Sequence, residues 1–137
     1  MMTKIPKNYK PTNKEKFMNA KMKEYFRQKL MIWKSGLLEG SSQTISKLQN
    51  EPNSAQPDLT DRATEEIERT FELRTRDRER KLINKIDAAL KRIEDGTYGY
   101  CEETGEPISL KRLEARPVAT LSLEAQEMHE KSEKRLN

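Results

Sequence analysis

Apolar residues recur through the first third of the chain in steps of four and three: Met18, Met22, Phe26, Leu30, Trp33 and Leu37. That spacing holds one stripe along an α-helix. Gly36, Gly40, Ser41 and Ser42 then dilute it before Ile45 and Leu48, so a kink or short break near Gly40 stands as an alternative to one continuous helix. A second stripe opens at Ile67 and Phe71 and closes through Leu82 or Ile83, Ile86, Leu90 and Ile93. Thr12-Asn13-Lys14-Glu15 has the spacing of a capping box and predicts the start of the first arm, which Asn50 and Pro52 stop. Glu65 and Glu66 suit the first turn of the second arm, with Asp61 or Thr60 as its cap. Gly96, behind Lys91 and Arg92, suits its C-terminal end.

At 1.5 Å per residue the two arms, 13–50 and 61–95, would run about 57 and about 52 Å. Joined by a short acidic loop, they most simply fold back on one another. The pattern thus predicts a mainly α protein: a long antiparallel coiled-coil hairpin over 12–95, with a tip loop at about 51–62. Residues 1–11 read as a flexible basic lead-in. Residues 96–137 read as a small globular end, turn-rich over 98–108, with a turn of helix over 109–115 that Pro117 ends. Ser122 caps a final helix, with Leu123 and Met128 facing the knuckle, and Ile108, Leu113, Val118, Leu121 and Leu123 are the expected core.

Composition agrees with an elongated molecule. Of 137 residues 33% are hydrophobic and 36% charged, a thin supply for a compact globule of this length. The net charge of +4 is unevenly spread: residues 1–34 hold ten Lys/Arg and two Asp/Glu, whereas 35–70 hold three and seven. The base of the hairpin is therefore basic and its tip acidic. A polarised rod fits oriented docking on a large partner better than sequence-specific DNA binding, which calls for one continuous basic face. There is no apolar run long enough for a membrane span and no apolar signal core, so a cytoplasmic monomer is expected. The single cysteine cannot close an internal disulfide.

Catalytic chemistry is hard to assemble from one His, one Cys and no Gly-rich phosphate loop, which argues against an enzyme. His129 reads as an exposed histidine of a polar helix, and Cys101 as a small buried apolar residue in preference to a reactive thiol. The run Arg74 to Lys81 is either a solvated face, laced by pairs such as Arg74 with Asp77, or a docking surface.

Asp61-Arg62-Ala63, Arg76-Asp77-Arg78-Glu79-Arg80-Lys81-Leu82-Ile83, Tyr98-Gly99-Tyr100-Cys101 and Arg112-Leu113-Glu114-Ala115-Arg116-Pro117 together closely resemble the DksA family of bacterial transcription factors. The resemblance runs from the tip to about Glu130. It implies a protein that binds RNA polymerase, passes a coiled-coil tip through the secondary channel and destabilises promoter complexes with the alarmone ppGpp. Residue by residue, Asp58, Asp61 and Ala63 match the family's tip positions, and Arg74 and Arg78 its basic positions at the channel rim. Leu82, Lys85 and Arg116 match the ppGpp site at the polymerase interface, where Gln126 stands in place of a common lysine.

The departure lies at the globular end. Commoner members carry two Cys pairs suited to tetrahedral zinc. Here those four positions read Cys101, Thr104, Ser122 and Ala125, which implies a zinc-ribbon-like but metal-free end with no tightly bound cofactor, ppGpp acting as effector. Two other functions fit less well: a Gre-like transcript-cleavage factor with an acidic tip, and a plain coiled-coil adaptor.

Overall fold

The computed structural model describes residues 4–50 and 59–136, with 41–50 and Leu136 described by backbone alone. Four helices carry the chain: α1, Ala20–Asn50; α2, Leu59–Asp95; α3, Leu110–Ala115; and α4, Leu123–Leu136. Among the described residues the only extended pairing is an isolated antiparallel bridge between Tyr100 and Pro107, so the protein is mainly helical. No helix among them is long and apolar enough to cross a membrane. α1 runs unbroken through Gly36 and Gly40. The break that those glycines suggest is absent.

The first arm starts later than its capping box. Thr12 and Glu15 do make the reciprocal contact, with the Thr12 N–H donating to the Glu15 carboxylate at 3.0 Å, yet no helix follows. The Tyr9 hydroxyl also donates to that carboxylate, at 2.9 Å, and the next residues are drawn into tertiary contacts. Phe17 meets Tyr100 edge to face at 5.3 Å, and Met18 is buried with a positive φ of 52°. Asn19 caps the helix instead: its Oδ1 accepts the Met22 N–H at 2.9 Å, the bond an N-cap makes to the third helical residue. The segment read as a flexible lead-in likewise contributes Tyr9, whose ring packs edge-on against Tyr25 at 6.0 Å.

Residues Met1–Met31 and Ile86–Asn137 form one compact unit and Ile32–Lys85 a second. In the first unit, Met22, Phe26 and Leu30 of α1 are fully buried, as the stripe predicts. They share a core with Ile86, Ala89 and Ile93 of α2 and with Tyr98, Cys101, Ile108, Leu110, Leu113, Val118 and Ala119. Each fully buried large side chain stabilises the fold by about 1.5–3 kcal/mol. Polar clamps tie the elements together. Lys29 donates to the Glu114 carboxylate at 2.6 Å and to its backbone oxygen at 2.9 Å, joining α1 to α3, and the buried Tyr98 hydroxyl donates to the Pro117 carbonyl at 2.8 Å. The predicted C-terminal cap of α2 is in place, with Gly96 at φ 81° and the Thr97 N–H on the Arg92 oxygen at 2.9 Å.

Part of the expected core is outside. Leu123 is 54% exposed and Met128 71%, because the face that α4 turns inward begins with Ser122 and Ala125, both buried. Leu121 is half-buried.

In the second unit, Trp33 and Leu37 of α1 and Leu82 and Ile83 of α2 are half-buried. The spacing predicts that Ile67 and Phe71 open the seam, but they are 69% and 70% exposed, and every residue from 61 to 70 is exposed. The charged run that follows them interrupts the stripe, so no continuous apolar seam passes from Phe71 to Leu82.

Candidate functional site

The tip loop falls largely on residues 51–58, outside the described residues, and Asp58 lies there with it. α2 begins at Leu59, so residues 59–62 are helical and not loop. Asp61 and Thr60 are inside the first turn and neither is the N-cap. The Thr60 carbonyl accepts from the Thr64 hydroxyl at 3.0 Å. Asp61 is exposed near the helix start, where the unpaired N–H groups favour a carboxylate. Ala63 follows on the same exposed stretch.

Ala63, Glu66, Ile67, Thr70, Phe71 and Arg74 line a concavity of about 500 Å³ along α2. Two large apolar side chains are thus presented beside an arginine. Arg78 is exposed one turn further on. Asp77 pairs with Arg80 at 3.3 Å rather than with Arg74. Both partners of that pair are well exposed, and such pairs contribute little to stability.

The four residues matched to the alarmone site divide between the units. Leu82, half-buried, and Lys85, exposed, belong to the second unit, three residues apart on α2. Arg116 and Gln126 belong to the first. Arg116 ends α3, its N–H donating to the Arg112 oxygen at 2.7 Å, and its guanidinium-bearing side chain is exposed. The Gln126 amide donates to Glu130 at 3.4 Å.

Of the four positions that the resemblance matches to zinc ligands, Cys101 and Thr104 lie in the knuckle and Ser122 and Ala125 at the start of α4. Two positive-φ glycines, Gly99 at 89° and Gly105 at 75°, turn the chain sharply enough for Ile108 N–H to reach the Gly99 oxygen at 2.7 Å and Cys101 N–H the Glu106 oxygen at 2.8 Å. Glu102 N–H bonds the Thr120 oxygen at 2.9 Å and ties the knuckle to the segment before α4. The Cys101 sulfur, 2% exposed, receives a hydrogen bond from the Thr104 hydroxyl and others from the backbone N–H groups of Ser122, Thr104 and Glu103. Together they outweigh the opposing effect of burial and lower the thiol to about 6.

A structural zinc needs four nitrogen or sulfur donors, and these side chains do not fit it. Ala125 has no donor atom. Ser122 Oγ accepts the Ala125 N–H at 3.3 Å as the cap of α4. Thr104 Oγ1 accepts the Glu106 N–H at 3.3 Å while serving the sulfur. His129 is half-exposed and paired with the Glu103 carboxylate, and among the described residues no three His, Cys, Asp or Glu side chains are grouped to hold a metal. Sequence reasoning placed Cys101 in the interior but missed the network around it. The turn residues Thr104 and Gly105 were the available signal.

That network sets a pH dependence. The folded thiol ionises below its unfolded value, so the thiolate stabilises the fold above that unfolded value, about 8.5. This stabilisation is lost as pH falls through about 6. Urea denaturation of the protein and of Cys101→Ala is therefore expected to show a stability difference that shrinks from pH 9 to pH 6. A difference that does not change with pH would contradict the hydrogen-bonded thiolate.

Residues 22–93 match the family model described as DnaK suppressor protein DksA, N-terminal domain, and 96–131 match the prokaryotic dksA/traR C4-type zinc finger. The chain is 60% identical over 127 residues to the RNA polymerase-binding transcription factor DksA of Caulobacter vibrioides, covering 93% of this chain and 89% of that one. It is 43% identical over 122 residues to the factor of the same name from Escherichia coli K12, covering 89% and 80%. Among solved structures, transcription factor DksA2 from Pseudomonas aeruginosa superposes with a TM-score of 0.77 at 40% identity, over 86% of this chain and 90% of that one.

Proposed function

This chain belongs to the DksA family, and from that premise we propose that it is a non-enzymatic transcription regulator that binds RNA polymerase directly. It works through the secondary channel, where Asp58 of the tip loop and Asp61 and Ala63 at the start of α2 act near the active centre. Arg74 and Arg78, with the apolar pair Ile67 and Phe71 between them and the tip, make the contact along the channel and its rim. The likeness to factors named for polymerase binding, which extends over nearly the whole chain, carries this reading. The exposed apolar and basic face of α2 supports it. Transcription from a ribosomal-RNA promoter by the matching polymerase should fall when the protein is added, and fall further with ppGpp. If transcription is unaffected and the protein does not co-sediment with polymerase, the proposal is wrong.

The alarmone acts at the factor–polymerase interface through the positions that match the family's site, Leu82 and Lys85 on α2 and Arg116 in the globular end, with Gln126 at the position where a lysine is common. Lysine meets the phosphates as a point charge and arginine as a two-pronged donor. A hydrogen bond to a charged group contributes about 1.5–3 kcal/mol, roughly ten- to a hundredfold in affinity. Lys85→Ala should accordingly raise the ppGpp concentration for half-maximal effect without weakening binding to polymerase alone. Gln126→Lys should lower it. Unchanged alarmone dependence in both variants would place the effector elsewhere.

The globular end folds without metal. Thr104, the Ser122 cap and the packing of Ala125 stand where thiolates would otherwise supply binding free energy to folding. Elemental analysis should find no zinc in stoichiometric amount, and a chelator should leave the melting temperature unchanged. One tightly held zinc per chain with unfolding on chelation would overturn this.

A further inference from the structure

The N-terminal segment and α3 line a groove of about 610 Å³ in the first unit, apart from every residue assigned a functional role above. Its apolar lining is Leu110, 9% exposed, and the half-buried Pro11. Its polar lining is Lys10, Thr12, Asn13, Lys111 and Glu114, with both lysines exposed. The one carboxylate is already engaged. Lys29 Nζ sits 2.6 Å from Glu114 Oε2, and the Tyr25 hydroxyl also bonds it. Burial raises the Glu114 carboxyl, but these bonds and the charges of Lys29 and Lys10 outweigh it and hold the group below its ordinary value. Glu114 is therefore ionised and matched by Lys29, which leaves Lys10 and Lys111 as surplus positive charge beside an apolar lining. Lys10 belongs to the basic end of the chain, where residues 1–34 carry ten Lys/Arg against two Asp/Glu.

We propose that this groove is a docking site for an extended acidic segment of a partner protein, with an aliphatic side chain against Leu110 and Pro11 and carboxylates on Lys10 and Lys111. The chemistry of the groove selects carboxylates over phosphates. Its lining carries no arginine fork and no glycine-rich run of backbone N–H groups, the devices that hold phosphate with geometric precision. The Glu114 carboxylate also opposes a doubly charged phosphate more strongly than a singly charged carboxylate. A lysine pair over an apolar lining instead provides charge complementarity for an acidic chain together with a small anchor.

Fluorescence anisotropy of the full chain with a fluorescein-labelled peptide of alternating glutamate and leucine tests this. Saturable binding is expected, weakening as salt screens the exposed lysines. Lys10→Glu and Lys111→Glu should each weaken it by about tenfold, and the groove double variant that carries both should weaken it further. The double substitution Lys91→Glu with Lys131→Glu, which makes the same change in net charge as the groove double variant, should change it less than about twofold. Unchanged melting curves for all variants establish that the fold is intact, as substitutions at exposed lysines allow. The peptide with glutamine for glutamate should not bind. Equal losses in the groove and control variants would mean non-specific attraction, and the proposal would be wrong. It would equally be wrong if inorganic phosphate, or a single-stranded RNA oligonucleotide, displaced the peptide at lower concentration than unlabelled peptide does, since the groove would then be an anion or nucleic-acid site.

Discussion

Asp61→Asn is expected to abolish regulation by at least about tenfold in a promoter transcription assay while leaving polymerase binding within about twofold. The substitution is nearly isosteric and removes one charge, which at the proposed position near the active centre is worth about 1.4 kcal/mol or more. Asp61 lies in the first turn of α2 and is exposed, and the interaction of a carboxylate with a helix start is worth about 0.3–1 kcal/mol. The melting temperature should therefore drop by no more than a few degrees. Had Asp61 been the N-cap, asparagine would serve there almost equally well, and the two roles separate cleanly in one variant. Loss of activity accompanied by equal loss of binding would show that Asp61 holds the complex together and does not act at the active centre. A backtracked-complex cleavage assay adds the remaining distinction: stimulation of transcript cleavage by the unmodified protein, lost in Asp61→Asn, would mark a Gre-like factor instead.

The fold was legible in the sequence where a periodic stripe met a partner surface, and illegible where the partner was distant in sequence. Met22, Phe26 and Leu30 are buried as their spacing predicts because α2 and the knuckle supply apolar area opposite them. Ile67 and Phe71 have the same spacing and are exposed, since periodicity reports which residues share a face and not whether anything covers it. The Thr12–Glu15 box formed its hydrogen bonds but not its helix, because Tyr9 holds the same carboxylate and Phe17 and Met18 are drawn onto the knuckle. At α4 hydrophobicity alone selects Leu123 and Met128, whereas the inward face starts with Ser122 and Ala125. The helix cap and the small side chain are what let those two residues be buried. The candidate site residues of α2 were identified by resemblance; Asp61, Ala63, Arg74, Arg78 and Lys85 are exposed and Leu82 is half-buried. The network around Cys101 depends on backbone N–H groups from Glu103, Thr104 and Ser122, whose direction no residue type announces.

Gly99→Ala is expected to destabilise the protein by about 2–5 kcal/mol, more than any other glycine of the knuckle. Two effects combine at this position. Gly99 has φ 89°, where a β-carbon meets backbone strain of about 1–2 kcal/mol. A β-carbon there would also lie 3.0 Å from Met18 Cε, 3.2 Å from Met18 Cγ and 3.2 Å from Phe17 Cζ, and overpacking of this kind typically adds about 1–3 kcal/mol. Gly105 separates the two effects, for it has φ 75° but open space where a β-carbon would stand, with no neighbour within 4 Å. Gly105→Ala should show the backbone strain alone. The excess at Gly99 then measures how firmly the N-terminal segment is seated on the knuckle, a contact that makes residues 17 and 18 part of the globular end. Met18 is itself buried, so Met18→Ala costs stability on its own, but combined with Gly99→Ala it removes two of the three crowded atoms and leaves Phe17 Cζ. The double variant should be more stable than the sum of the single effects by about 1 kcal/mol or more in urea denaturation. Additivity of the two substitutions would mean that the methionine does not press on Gly99 in solution, and that the strap over the knuckle is looser than its packing against Tyr100 indicates.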